Sequence, residues 1–172
     1  ISILTGYGLE VVGLRQQVVS LGGVLQPIAI VLGSCIAAHA LEWLGEARTY
    51  MLGLSVISLG LLTVASSAHY RAHAAVGFWA GLAVCGLGFG LSEPAVCKIL
   101  GRRAGKENYG KVFACKMFME HMGIALGSYV WSNYIFVHAD GPGLAASTGF
   151  LISSGIIGGS FVAFTLLRAA YH

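Results

Sequence analysis

Charge is what this sequence has least of. Of its 172 residues only 10% are Asp, Glu, Lys or Arg, while 56% are hydrophobic and the mean hydropathy is +0.79. A water-soluble domain carries about 25% charged residues, so this composition excludes an ordinary soluble globule. Cysteine is sparse too. Cys35, Cys85, Cys97 and Cys115 all lie in or at the ends of apolar runs, with no CxxC pair and no His at metal-ligand spacing. They read as core thiols, with no disulfide framework or metal site. No Ser-His-Asp set and no nucleotide loop appears. GLGFG at 86–90 lies inside an apolar run, whereas a dinucleotide fingerprint sits between a strand and a helix. The reading is therefore of a protein that is not an enzyme and holds no cofactor. The opening ISILTGYGLEVVGL has no charged region ahead of an apolar core and cleavage site, so it does not read as a signal peptide.

What the chain has in quantity is long apolar runs. A spanning helix needs about 20 apolar residues, and about five runs meet that length: 15–40, 49–68, 74–100, 112–137 and 144–167. The expected fold class is all-α, a polytopic membrane helix bundle with about five transmembrane helices. Residues 1–14 read as a loop or short interfacial segment, and 15–172 as one transmembrane bundle. Pro27 falls inside the first run, where neighbouring groups can satisfy the freed carbonyl. The linker LEWLGEARTY at 41–50, the polar turn at 69–73, the basic loop at 101–111 and HADGPG at 138–143 separate the runs. Alternating the linkers puts Arg48, Lys98, Arg102, Arg103, Lys106, Lys111 and Arg168 on one side, against Arg15 and Arg71 on the other. The positive-inside rule then turns the 41–50 and 101–111 linkers toward the cytoplasm, or toward the matrix or stroma of an organelle. The net charge of +3 and the pI near 8.8 arise from these juxtamembrane residues, so the basic balance points to a membrane surface and not to nucleic acid.

Glu93, Lys116, Glu120 and His121 stand out among the ionisable residues inside the apolar runs, while Lys98, near a run end, snorkels to the surface. A charge within the bilayer is costly and is kept only with a partner or a water-filled cavity. Counted from their span ends at 1.5 Å per residue, Glu93 is roughly 10 Å deep, and Lys116 and Glu120 roughly 6 and 12 Å. Glu93 and Lys116 are expected to pair across two antiparallel helices, with Glu120 and His121 extending the network. Such a cluster reads either as a substrate or proton site or as an ion pair that fixes helix register. Three small-residue motifs, Gly86/Gly90, Gly123/Gly127 and Gly155/Gly159, mark faces where helix backbones can approach closely.

The segment AHALEWLGEAR at 38–48, between two spans and on the positive side, resembles the loop signature of the major facilitator superfamily: small-x-x-x-acidic-x-x-Gly-x-x-basic. Ala38, Glu42, Gly45 and Arg48 take the four signature positions. LGGVLQPIAIVLG upstream resembles the Gly- and Pro-bearing helix that precedes this loop in the family. GLGFGLSEPAVCKILGRRAGKENYGKVFACKMFMEHMGIALG is similar to the family's fourth and fifth helices. The chain departs from the pattern in having Glu at the acidic position, a single basic residue, and no Gly-Pro in the fourth run. The resemblance implies helices two to six of one six-helix repeat, the C-terminal one, and a loop that latches the inward-closed state. It also implies a secondary transporter for a small-molecule substrate that works by alternating access against further transmembrane helices, a missing N-terminal repeat. The other expectation is a non-transporting subunit derived from that fold, packed in a multi-subunit respiratory or photosynthetic membrane complex. Both are integral, multi-pass proteins of a plasma or organellar membrane, in contact with the lipid bilayer.

Overall fold

The structure, a computed structural model, describes residues 7–67, 69, 73–130, 152, 153, 155 and 157. Among these the regular structure is helical: a π-helical turn, Tyr7–Val11, and three long helices, α1 (Gln16–Leu44), α2 (Glu46–Ser67) and α3 (Ala74–Val130). All three long helices are apolar enough and long enough to cross a membrane. α1 has 29 residues and α2 has 22, or roughly 44 and 33 Å at 1.5 Å per residue, against a hydrocarbon core of about 30 Å.

The linkers are tighter than the sequence suggests. Residues 41–50 form no open loop, because α1 runs to Leu44 and α2 starts at Glu46, with only Gly45 between them. Gly45 has φ 77° and ψ 169°, a region essentially reserved for glycine. The basic stretch 101–111 is likewise helical apart from Gly105, at φ 69° and ψ 166°. α3 folds back there into two antiparallel arms, 74–104 and 106–130. Tyr109, four residues past the turn, lies against Gly101, four before it, and Lys116 meets Glu93 further along. The polar side chains around each glycine suggested loops, but side chains in an interfacial helix can reach water from a helical backbone.

The first arm of α3 lies between α1 and α2, which hardly touch each other. It runs parallel to α1 and antiparallel to α2, and each seam is made of small residues. Toward α2, Gly81 and Gly88 of α3 meet Gly60 and Gly53, spaced by seven on both helices, and Ser92 and Cys85 sit beside them. Toward α1, Gly86 and Gly90 meet Ala29, Gly33 and the carbonyls of Gln26 and Ile30. In lipid no water-driven force holds helices together, so close backbone approach supplies the packing energy.

Larger side chains gather at the end opposite Gly45. Tyr7, Val19, Val64, Ala65, Phe78 and Leu82 form one buried cluster. The π turn therefore covers the helix ends and puts Tyr7 inside the core. The Tyr7 hydroxyl donates to the Val64 and Ala65 carbonyls (3.2 and 3.3 Å), and Trp79 Nε1 donates to the Val18 carbonyl (2.8 Å). The outward faces are apolar, with Val24, Ile28, Leu32 and Ile36 exposed on α1, and Leu52, Leu59 and Leu62 on α2. The expected fourth run, 112–137, falls only in part within the described residues. The fifth, 144–167, lies outside them apart from the four positions named above.

Candidate functional site

The hairpin in α3 brings three of the four ionisable residues together. Lys116 Nζ donates to Glu93 Oε1 at 2.5 Å and to Glu120 Oε1 at 2.6 Å. Glu93 comes from the first arm, while Lys116 and Glu120 are one turn apart on the second. Both carboxylates reach the ammonium because Gly105 sets the arms in register, twelve residues after Glu93 and eleven before Lys116. Five residues separate Lys98 from Glu93 and Lys111 from Lys116, which places the triad roughly 8 Å inside the basic rim.

Burial within the triad is uneven. The Lys116 side chain is 8% exposed, whereas Glu93 and Glu120 are 53% and 43% exposed. The cation sits inside, and the carboxylates on either side of it reach the surface. Two carboxylates and one ammonium leave one net negative charge. Further contacts support the lysine: its ammonium lies 5.6 Å from the Phe113 ring centroid, and Phe113 stacks on Tyr109 at 5.7 Å. The Cys97 thiol donates to Glu93 Oε1 at 3.6 Å. Beside the triad an open groove of about 510 Å³ is lined by Leu100, Val112, Cys115, Lys116, Met119 and Glu120. His121 stands apart, exposed, with Nδ1 2.7 Å from the Met117 carbonyl of its own helix.

The residues of the loop signature lie at and around the other one-residue break, between α1 and α2. Gly45 is the break itself, and Ala38, Glu42 and Arg48 are exposed. Among the described residues neither Glu42 nor Arg48 forms an ion pair. The acidic residue that does is Glu46, whose Oε1 accepts from Arg102 Nη1 at 3.1 Å. Sequence reasoning passed over this pair. Its signal was the position of Glu46 directly after the glycine, in the first turn of a helix, where a carboxylate is favoured by the helix dipole. Arg102, near the C-terminal end of its arm, is favoured for the complementary reason.

Of the glycine motifs, Gly86 and Gly90 lie in the α1 seam. No described atom comes within 4 Å of a methyl group built on Gly123, Gly127 or Gly155, and Gly159 lies outside the described residues. All four cysteines are free thiols, with Cys85 buried against Gly60. Among the described residues no three His, Cys, Asp or Glu side chains gather as a metal site. Comparison with family models, curated proteins and solved structures gives no match.

Proposed function

We infer that this protein forms one wall of a secondary transporter for a small solute. The Glu93–Lys116–Glu120 triad would face a second helical unit supplied by further transmembrane helices. In this reading α1, α2 and the two arms of α3 are four spans, residues 144–167 supply a fifth, and together they correspond to helices two to six of a major facilitator type of repeat. One observation supports the reading most. Carboxylates inside an apolar helix pair are about half-exposed, while the lysine between them is covered. Ionisable groups kept within a bilayer commonly line substrate or proton paths, and transport by rocking needs a facing unit. The test uses the full-length protein in proteoliposomes under a pH gradient, reading solute-dependent proton movement across a panel of small solutes. Glu120→Gln should abolish that movement and leave helicity intact. Unchanged movement in the variant would discard the coupling role.

The second arm of α3 favours a different reading. Phe118, Met119, Met122, Ile124 and Leu126 are all exposed on it, a surface suited to packing against another subunit. A non-transporting subunit of a large membrane complex would use it so, with the triad fixing hairpin register. Co-purification with such a complex in fixed stoichiometry would decide for this reading.

A further inference from the structure

We propose that the cleft between the Gly45 break and the end of the first arm of α3 binds the headgroup of an anionic phospholipid. The cleft is open, has a volume of about 450 Å³, and its lining includes Leu41, Leu44, Glu46, Arg48, Lys98 and Arg102. Three cations meet one carboxylate there. Glu46 engages a single guanidinium nitrogen of Arg102, and neither Arg48 nor Lys98 forms an ion pair among the described residues. Two positive charges are therefore left over at one concave point.

The surroundings select a lipid over a free anion. The cleft sits at the rim where basic residues concentrate, the side on which pockets between transmembrane helices meet anionic headgroups. Leu41 and Leu44 form an apolar lip, and Trp43 beside them is 86% exposed, as befits an indole at the level of the headgroups. From that level the exposed Ile36, Leu32 and Ile28 of the same helix lead into the hydrocarbon region, where acyl chains lie. A dissolved phosphate would use the cations and gain nothing from the lip. Glu46 holds Arg102 in place, and Arg48 and Lys98 remain as two donors for the two unesterified oxygens of a phosphodiester. The cleft lies at the basic rim and includes none of the triad residues, and the inference does not rest on transport.

Native mass spectrometry of the detergent-solubilised protein tests it, with phosphatidylglycerol, phosphatidylcholine and inorganic phosphate as separate probes. The phosphatidylglycerol adduct should outlast the phosphatidylcholine adduct. Arg48→Gln and Lys98→Gln, at exposed positions without ion pairs, should each lower phosphatidylglycerol occupancy about fivefold. Lys111→Gln, on the rim but outside the cleft, should leave it unchanged, and Arg48→Lys should retain most of it. An equal loss from Lys111→Gln would reduce the effect to general surface attraction and overturn the site, as would full occupancy in both cleft variants. A thermal shift produced as strongly by millimolar inorganic phosphate as by the lipid would assign the cleft to a free anion and overturn the lipid.

Discussion

Glu46 and Arg102 lie 56 residues apart and touch at 3.1 Å, which fastens the junction of α1 and α2 to the turn within α3. The two breaks at Gly45 and Gly105 therefore lie at one end of the bundle. Arg48, Lys98, Arg102, Arg103, Lys106 and Lys111 surround that end, while Arg15 lies at the other. Among the described residues the basic end is thus built on two one-residue turns. Glu46 is 16% exposed and Arg102 73%, so the pair contributes register more than energy, no more than about 1 kcal/mol.

Those turns carry the first prediction. Both glycines adopt backbone angles that side chains resist, and no described atom lies within 4 Å of either to crowd a methyl group. Gly45→Ala and Gly105→Ala should each cost about 1–3 kcal/mol through backbone strain alone. Gly23→Ala, in the interior of α1 with equally open surroundings, should gain up to about 1 kcal/mol. Thermal unfolding in micelles checks this, and a neutral Gly105→Ala would mean that the turn is not as described.

Lys116 carries the second. Removing it in Lys116→Met leaves two carboxylates together within an apolar hairpin. Breaking a fully buried pair costs about 3–5 kcal/mol. Because Glu93 and Glu120 are half-exposed, about 1–3 kcal/mol is expected here. Adding Glu93→Gln and Glu120→Gln to Lys116→Met should recover most of the loss. Failure of the triple variant to recover would show that packing of the lysine stem, and not charge, sets the cost.

The third prediction separates two classes of glycine. A methyl group on Gly60 would lie 2.6 Å from the Cys85 backbone nitrogen, and one on Gly88 2.6 Å from that of Ile57. Backbone cannot move aside as a flexible side chain can, so Gly60→Ala and Gly88→Ala should each cost about 1–3 kcal/mol. Gly123→Ala meets no described atom within 4 Å and should be neutral or stabilising by up to about 1 kcal/mol. Comparable losses at all three positions would remove the distinction.

Tyr7 carries the fourth. Burial is the main influence on its phenol and pushes it above the ordinary tyrosine value, despite a smaller opposing effect from the Ser67 hydroxyl. The unfolded chain then releases this proton near pH 10 while the folded chain still holds it. Stability should therefore be full below pH 10 and fall as pH rises beyond it, by up to about 1.4 kcal/mol per unit from this group. In Tyr7→Phe that increment should vanish although the hydrogen bonds to Val64 and Ala65 are lost at every pH. Parallel pH profiles for the two proteins would contradict the assignment.

The membrane character, the extents of α1 and α2 to within a few residues, and the start of α3 were legible in the sequence, because long apolar runs have few other uses. Counting depth from the run ends also set Glu93 and Lys116 at comparable levels, since helix rise is uniform. What was not legible depended on neighbours two helices away. Glu46 finds Arg102 only once α2 and α3 are in register, and its place after Gly45 in the first turn of a helix marks it as dipole-favoured without naming its partner. His121 adjoins Glu120 in sequence, but a helix turns about 100° per residue, and its ring meets the Met117 carbonyl. Tyr7 stands in a glycine-bearing stretch whose composition says nothing about depth. The single-glycine turns were read as linkers because charged residues flank them, a pattern that loops and interfacial helices share.

The seams on either side of α3 depend on atoms that are missing. In these seams helix backbones meet where a side chain has been reduced to hydrogen, so the recognition surface consists largely of peptide groups, which every sequence possesses. The outward residues are then free to vary among Leu, Ile, Val and Phe without disturbing the assembly. The inward glycines that meet backbone, such as Gly60 and Gly88, resist even a methyl group. Variation in this protein should accordingly be uneven along each rod, with permissive and costly positions alternating on a helical pitch.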